Sequence, residues 1–110
     1  MERHRVVLRG GEEAILFKAE SGEWACPVCG RVGLAEQPYS AEGWGTFEIC
    51  SCGFEFGFDD DPGASAEALP SVTSNWERWR AKHVSRFRSR PKAFEVVRAQ
   101  LLAIGVAVDP

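Results

Sequence analysis

Residues 26–58 read CPVCGRVGLAEQPYSAEGWGTFEICSCGFEFGF, a stretch dense in Cys, Gly and aromatic side chains. It opens with Cys26-Pro27-Val28-Cys29-Gly30 and answers with Cys50-Ser51-Cys52-Gly53 about 20 residues later. Two short cysteine pairs on separate turns can supply the four soft ligands of a tetrahedral metal site. Pro27 stiffens the first turn. Gly30 and Gly53 let the backbone bend back, so that N–H groups face sulfur. The spacing points to one structural Zn2+ held by Cys26, Cys29, Cys50 and Cys52. The second pair is C-x-C, not C-x-x-C, which narrows its bite without preventing a tetrahedron. Four thiolates leave no position for water, so the site reads as structural, not catalytic. Iron in a rubredoxin-like site and a redox or disulfide-forming C-x-x-C are the alternatives. A redox pair normally opens a helix in a βαβ setting, and that context is missing.

Working outward, the flanking segments predict strands before the cysteines and helices after them. Val6, Val7 and Leu8, then Gly10-Gly11, then Ala14 to Ala19, read as a β-hairpin over residues 1–23. A short helix from Glu12 to Glu20 is the competing reading, since Glu, Ala, Leu and Lys favour helix. Residues 24–62 form the cysteine module, with short strands expected over Arg31–Ala35 and Thr46–Cys50. In Phe54-Glu55-Phe56-Gly57-Phe58 the period of two puts the three Phe on one strand face. Residues 71–106 read as helical. Ser74-Asn75-Trp76-Glu77 matches a capping box, predicting a helix from about Asn75 to Arg88. Trp76, Trp79, His83 and Phe87 form its apolar stripe, which is expected to pack on the Phe54/Phe56/Phe58 face. His83 reads as a packed histidine, not a ligand. A second helix is expected over Lys92–Ile104, closed by Gly105.

Length and charge limit the functional classes. A chain of 110 residues with 45% apolar and 26% charged residues is one ordinary domain, too short for a doubly wound or barrel fold. The net charge of -3 hides an asymmetry. Residues 1–70 hold 13 acids and 5 bases, and residues 71–110 hold 3 acids and 8 bases. The two halves attract each other, or they present two binding faces. Arg78, Lys82 and Arg86 recur at i, i+4, i+8, which is either a phosphate-facing stripe or a solvated helix face. Asp59-Asp60-Asp61 lacks the alternation and closing Glu of a calcium loop. It reads as a turn or cap, facing a partner or an Arg of the following helix. Trp44, between Gly43 and Gly45, is a second candidate partner contact. No nucleophile motif and no glycine-rich phosphate cradle occurs, so no enzymatic activity and no small-molecule substrate are expected. The opening MERHRVVL has too short an apolar run for a secretory leader, and no stretch approaches the length of a membrane span. A cytoplasmic protein is expected, where thiols stay reduced and bind metal.

Residues 24–62 resemble the uncharacterised bacterial cysteine-rich CPCC family. The resemblance rests on Cys26, Pro27, Cys29, Gly30, Leu34, Pro38, Tyr39, Glu48, Ile49, Cys50, Cys52, Gly53, Phe54, Phe56 and Asp59–Asp61. Ser51 stands where the family has a further Cys, so one of the family's cysteines is dispensable for a single metal. The resemblance implies a zinc ribbon without established activity, and leaves room for a regulatory or immunity-like role.

Together these readings predict an α+β fold: a small antiparallel zinc-ribbon-like sheet, an N-terminal hairpin beside it and two C-terminal helices packed on its aromatic face. The expected function is non-enzymatic, a zinc-bearing module that binds a protein partner. Nucleic-acid binding through the basic helix and thiol redox chemistry are the competitors. Metal loss is expected to unfold residues 24–58, which lack a full core of their own.

Overall fold

Gly10 and Gly11 take positive φ, 95° and 94°, a region that only glycine enters freely. They turn strand β1 (Glu2–Val7) back onto β2 (Glu13–Lys18), with Val6 opposite Ala14 and His4 opposite Leu16. The helical reading of residues 12–20 is thereby overturned. Lys18 pairs with Trp24, bringing in β3 (Trp24–Ala25), and Trp24 pairs with Leu34 of β4 (Val32–Leu34). The computed structural model, which describes residues 1–110, thus contains one antiparallel four-stranded sheet in the order β1-β2-β3-β4. The N-terminal hairpin does not lie beside a separate sheet. It supplies half of the only one.

The expected strands over 46–50 and 54–58 do not form. Only two isolated bridges remain there, Tyr39 with Gly45 and Ile49 with Glu55. Two causes act together. Phe47, Gly53 and Gly57 take positive φ, which curls the chain. The Asp59 and Asp60 carboxylates accept from the Glu55 and Gly57 N–H groups, at 2.8 and 3.0 Å, and so take donors that a ladder would need. The three Phe therefore do not share a face. Phe54 and Phe56 are fully buried, whereas Phe58 is 41% exposed.

Helix α1 spans Val72–Phe87, three residues earlier than the capping-box reading placed it. The cap is Ser71, whose Oγ accepts from the Ser74 N–H at 3.1 Å. Glu12, from the turn before β2, accepts from the Val72 N–H at 2.7 Å and from the Ser71 hydroxyl at 2.8 Å. A glutamate some 60 positions away does the work assigned to Glu77. Helix α2 spans Pro91–Ala103 and starts on a proline, which fits the first turn of a helix. Gly105, at φ 84°, ends it, with the Val106 N–H on the Leu101 carbonyl.

The larger core gathers the cysteines, β1 and β2 side chains, and a run of stacked aromatics. Trp79 meets Phe54 edge-on at 5.3 Å, Phe54 meets Phe56 at 5.4 Å, and Tyr39 bridges Phe56 and Trp76. Burying each such ring contributes about 2 kcal/mol. Only α1 covers these aromatics. α2 packs its Phe94, Val97, Leu101 and Ile104 into a second core with Val84 and Ala25, contrary to the expectation that both helices share the aromatic face. No helix is long and apolar enough to cross a membrane.

Candidate metal centre

The first cysteine pair occupies the turn that joins β3 to β4. Cys26 N–H bonds the Arg31 carbonyl at 2.9 Å and Gly30 N–H bonds the Cys26 carbonyl at 2.8 Å. Gly30 sits at φ 82°, which turns the chain past Cys29. The Val28 N–H points at Cys26 Sγ, 3.4 Å away. The second pair occupies a matching turn inside the Ile49–Glu55 bridge. There Gly53 N–H bonds the Cys50 carbonyl at 2.8 Å, and Gly53 has φ 98°.

The two turns face each other and bring four sulfurs together. Cys26 Sγ lies 3.9 Å from Cys52 Sγ, and Cys29 Sγ lies 3.7 Å from Cys50 Sγ. All four sulfurs are within 4.8 Å of one another. No pair is at disulfide distance, and all four residues are free cysteines. A tetrahedron with metal–sulfur bonds of about 2.3 Å has edges of about 3.8 Å. The residues therefore fit a single tetrathiolate metal ion, and the four cysteines named from the sequence form one group that could hold it. Cys26, Cys29 and Cys50 are buried, and Cys52 is half-buried.

With no cation among them the four sulfurs do not all ionise: hydrogen bonds between them push the Cys29 and Cys50 thiols toward thiolate and hold Cys26 and Cys52 as thiols. Four ionised sulfurs this close together require a cation between them.

Arg80 reaches the centre from α1. Its Nε donates to the Val28 carbonyl at 2.9 Å and its Nη2 to the Pro27 carbonyl at 2.6 Å. Burial pulls its pKa below the ordinary arginine value, and Glu77 and the Cys26 and Cys29 sulfurs oppose that pull. A half-buried guanidinium thus holds the first turn and sets positive charge beside two of the sulfurs. No sequence signal marked Arg80, because its partners lie more than 50 residues away. The backbone of α2 closes another side, since a Cβ on Gly30 would sit 2.3 Å from the Gln100 carbonyl oxygen. His83 lines the remaining side, stacked edge-on against Phe87 at 5.1 Å. Burial lowers its pKa, helped by the nearby Arg86 charge.

The other candidate residues are scattered. Arg78 is not part of a free basic stripe, because its guanidinium donates to the Glu67 carbonyl. Lys82 and Arg86 are exposed. Trp44 is 58% exposed, with the Arg9 guanidinium 5.6 Å from its ring centre. The three aspartates do not form an outward acidic face. Asp60 is buried and accepts from Tyr39 Oη and the Gly57 N–H. Asp59 binds the Glu55 N–H, and Asp61 pairs with Arg9 at 2.9 Å, not with an arginine of α1. Phe47, which no motif singled out, is 62% exposed although its backbone is held at φ 65°.

Comparison of the chain with protein-family models, curated proteins and solved structures finds no match.

Proposed function

We propose that the chain is a non-enzymatic, cytoplasmic zinc protein that acts by binding a protein partner. The reading is carried by the convergence of four cysteine sulfurs from two facing turns, with all ligand positions filled by protein. Two opposed cysteine turns around one ion are the arrangement of a zinc ribbon, and the CPCC family is the relationship we propose for residues 24–62. Zinc is the metal we assign, since a closed tetrathiolate of two cysteine turns is the usual structural zinc site. The partner surface we assign is the loop carrying Trp44 and Phe47. Two large aromatics there stay in solvent, and Phe47 does so in a backbone conformation that costs a non-glycine residue about 1–2 kcal/mol. Support for a nucleic-acid role is weaker, because the Arg78 and Arg80 guanidinium groups donate to carbonyls of the chain itself.

Metal analysis of the purified chain tests the metal reading. One zinc per chain is expected, with Cys29→Ser lowering metal content and melting temperature together. A chain free of metal that melts cooperatively and at the same temperature as Cys29→Ser would overturn it. For the partner reading, Trp44→Ala combined with Phe47→Ala should abolish co-purification of a bound protein without lowering zinc content. Salt-sensitive binding to mixed-sequence DNA, lost in Lys82→Gln/Arg86→Gln, would replace it with the nucleic-acid reading.

A further inference from the structure

Strand β1 stands at one end of the sheet order, so one of its edges has no strand beside it. The hairpin fixes which backbone groups lie on that edge. The Leu8 N–H bonds the Glu12 carbonyl, and the register sets Val6 opposite Ala14, His4 opposite Leu16 and Glu2 opposite Lys18. Hydrogen-bonded positions alternate along an antiparallel pair, so these even-numbered residues turn their N–H and C=O groups toward β2. Arg3, Arg5 and Val7 turn theirs outward. None of the three enters a turn or loop hydrogen bond. Arg9, next in the outward series, does have a partner, since its N–H bonds the Gly43 carbonyl at 3.2 Å. The loop leading to Trp44 thus takes one rung beside the hairpin and leaves those at Arg3, Arg5 and Val7 open. The other end of the sheet is different. β4 is three residues long, and just past it Glu48 accepts from the Ala35 and Glu36 N–H groups.

The side chains decide what can pair on the β1 edge. Arg3 and Arg5 are exposed, and Val7 is half exposed. Arg5 pairs with Glu13, whereas Arg3 joins none of the protein's ion pairs. Charged side chains on an edge guard it against indiscriminate pairing. Here they act against a second copy of the chain. The antiparallel register that would pair all three outward residues of two copies sets Arg5 opposite Arg5. A shift by two residues sets Arg3 opposite Arg5. Like charges directly opposite destabilise a strand pair, and opposite charges stabilise it.

We infer that the β1 edge binds an extended, acidic segment of a protein partner as a fifth, antiparallel strand. The segment presents an apolar residue opposite Val7 and acidic residues opposite Arg5 and Arg3, at every second position. Its N-terminal end stops against the Gly43 rung, beside the loop that carries Trp44. The inference rests on the partner reading and names what the partner presents.

The test is an NMR titration of the metal-loaded full chain, followed on the backbone amides of β1. The probes are acetyl-Thr-Val-Thr-Glu-Thr-Glu-Thr-amide, its counterpart with Gln for both Glu, and two N-methylated forms of the acidic peptide. One methyl sits on the first Glu nitrogen, whose N–H would face β1. The other sits on the Thr between the two Glu, whose N–H would face away. Saturable binding of the acidic peptide is expected, with at least tenfold slower hydrogen exchange at the Arg3, Arg5 and Val7 amides. The Gln peptide and the Glu-methylated peptide should each bind at least tenfold more weakly, and the Thr-methylated peptide within threefold of the parent. Arg5→Pro removes the central outward donor at a position where an edge strand tolerates proline, and should cost at least tenfold in affinity. If that variant does not fold, the pair of methylated peptides decides the same question. No saturation at millimolar peptide, equal binding of the two methylated forms, or equal binding of the Glu and Gln peptides would each overturn the inference. Self-association of the chain that is lost in Arg5→Pro would give the edge to a second copy and overturn it too. Peptide binding should survive Trp44→Ala/Phe47→Ala, so the edge and the Trp44 face are tested separately.

Discussion

Arg80 donates to the Pro27 carbonyl at 2.6 Å, tying the middle of α1 to the turn that presents Cys26 and Cys29. A second bond to the Val28 carbonyl makes the contact two-pronged. Arg80→Met keeps the aliphatic stem and removes both donors, leaving two buried carbonyls unpaired. Hydrogen bonds to a charged donor are worth about 1.5–3 kcal/mol each, so a loss of about 2–4 kcal/mol is expected in urea unfolding. Metal should also pass faster to a competing chelator, because the turn is no longer held. Lys82→Met, two residues further along α1 and in solvent, should stay within about 0.5 kcal/mol of the parent. Equal stability of the two variants would rule out a clamping role for Arg80.

Gly30 is where α2 meets the same turn. A methyl group there would stand 2.3 Å from the Gln100 carbonyl oxygen, and the residue sits at φ 82°. Gly30→Ala therefore combines a steric clash with backbone strain, for a loss of about 2–5 kcal/mol. Gly105 shares the positive φ, 84°, but has open space around it. Gly105→Ala isolates the backbone part, about 1–2 kcal/mol. Melting curves of the two variants should differ clearly. If they coincide, α2 does not press on the turn.

How far these relationships could be read in advance depends on their range along the chain. The hairpin, both helices and the grouping of Cys26, Cys29, Cys50 and Cys52 are local signals: glycine turns, helical periodicity and paired ligands. The start of α1 was misplaced because Glu77 has a local capping pattern, whereas Glu12 reaches the helix only after the sheet has formed. The alternation of Phe54, Phe56 and Phe58 looks like a strand until Asp59 and Asp60 take the backbone donors of Glu55 and Gly57. Arg80 is invisible in the same way, since its partners are set by how α1 lies on β3 and β4. Phe47 gave no signal, because nothing in its neighbours announces a left-handed residue.

The Glu12 cap gives a pH-dependent prediction. Burial pushes its pKa up, but hydrogen bonds from Thr73, Ser71 and the Val72 and Thr73 N–H groups outweigh burial and leave it below the ordinary value. A carboxylate with a lowered folded pKa stabilises the protein above its unfolded value and loses that contribution as pH falls through the folded one. Glu12→Gln should cost about 1 kcal/mol at pH 7, as other N-cap losses do. The gap between parent and variant should close as pH drops below about 4. Urea midpoints measured across that range check it. A gap that stays constant would mean that the charge on Glu12 contributes nothing to the cap.

Asp60 behaves in the opposite sense. Its carboxylate is buried, and burial raises its pKa against the opposing hydrogen bonds from Tyr39 and Gly57. The folded state thus holds the proton more tightly than the unfolded chain. The contribution of this group to stability falls as pH rises from the ordinary value of 3.8 through the raised folded one. Asp60→Asn should flatten that slope. Asp60→Ala goes further and strips the acceptor from both the Tyr39 hydroxyl and the Gly57 N–H, at a cost of about 2–4 kcal/mol. Tyr39 also accepts from Trp76 Nε1 at 2.9 Å, so the three side chains form one buried chain of hydrogen bonds. A double-mutant cycle of Asp60→Ala with Tyr39→Phe should therefore show a coupling of about 1–2 kcal/mol. Strict additivity would show that Asp60 and Tyr39 act independently, and that Gly57 is the partner that matters.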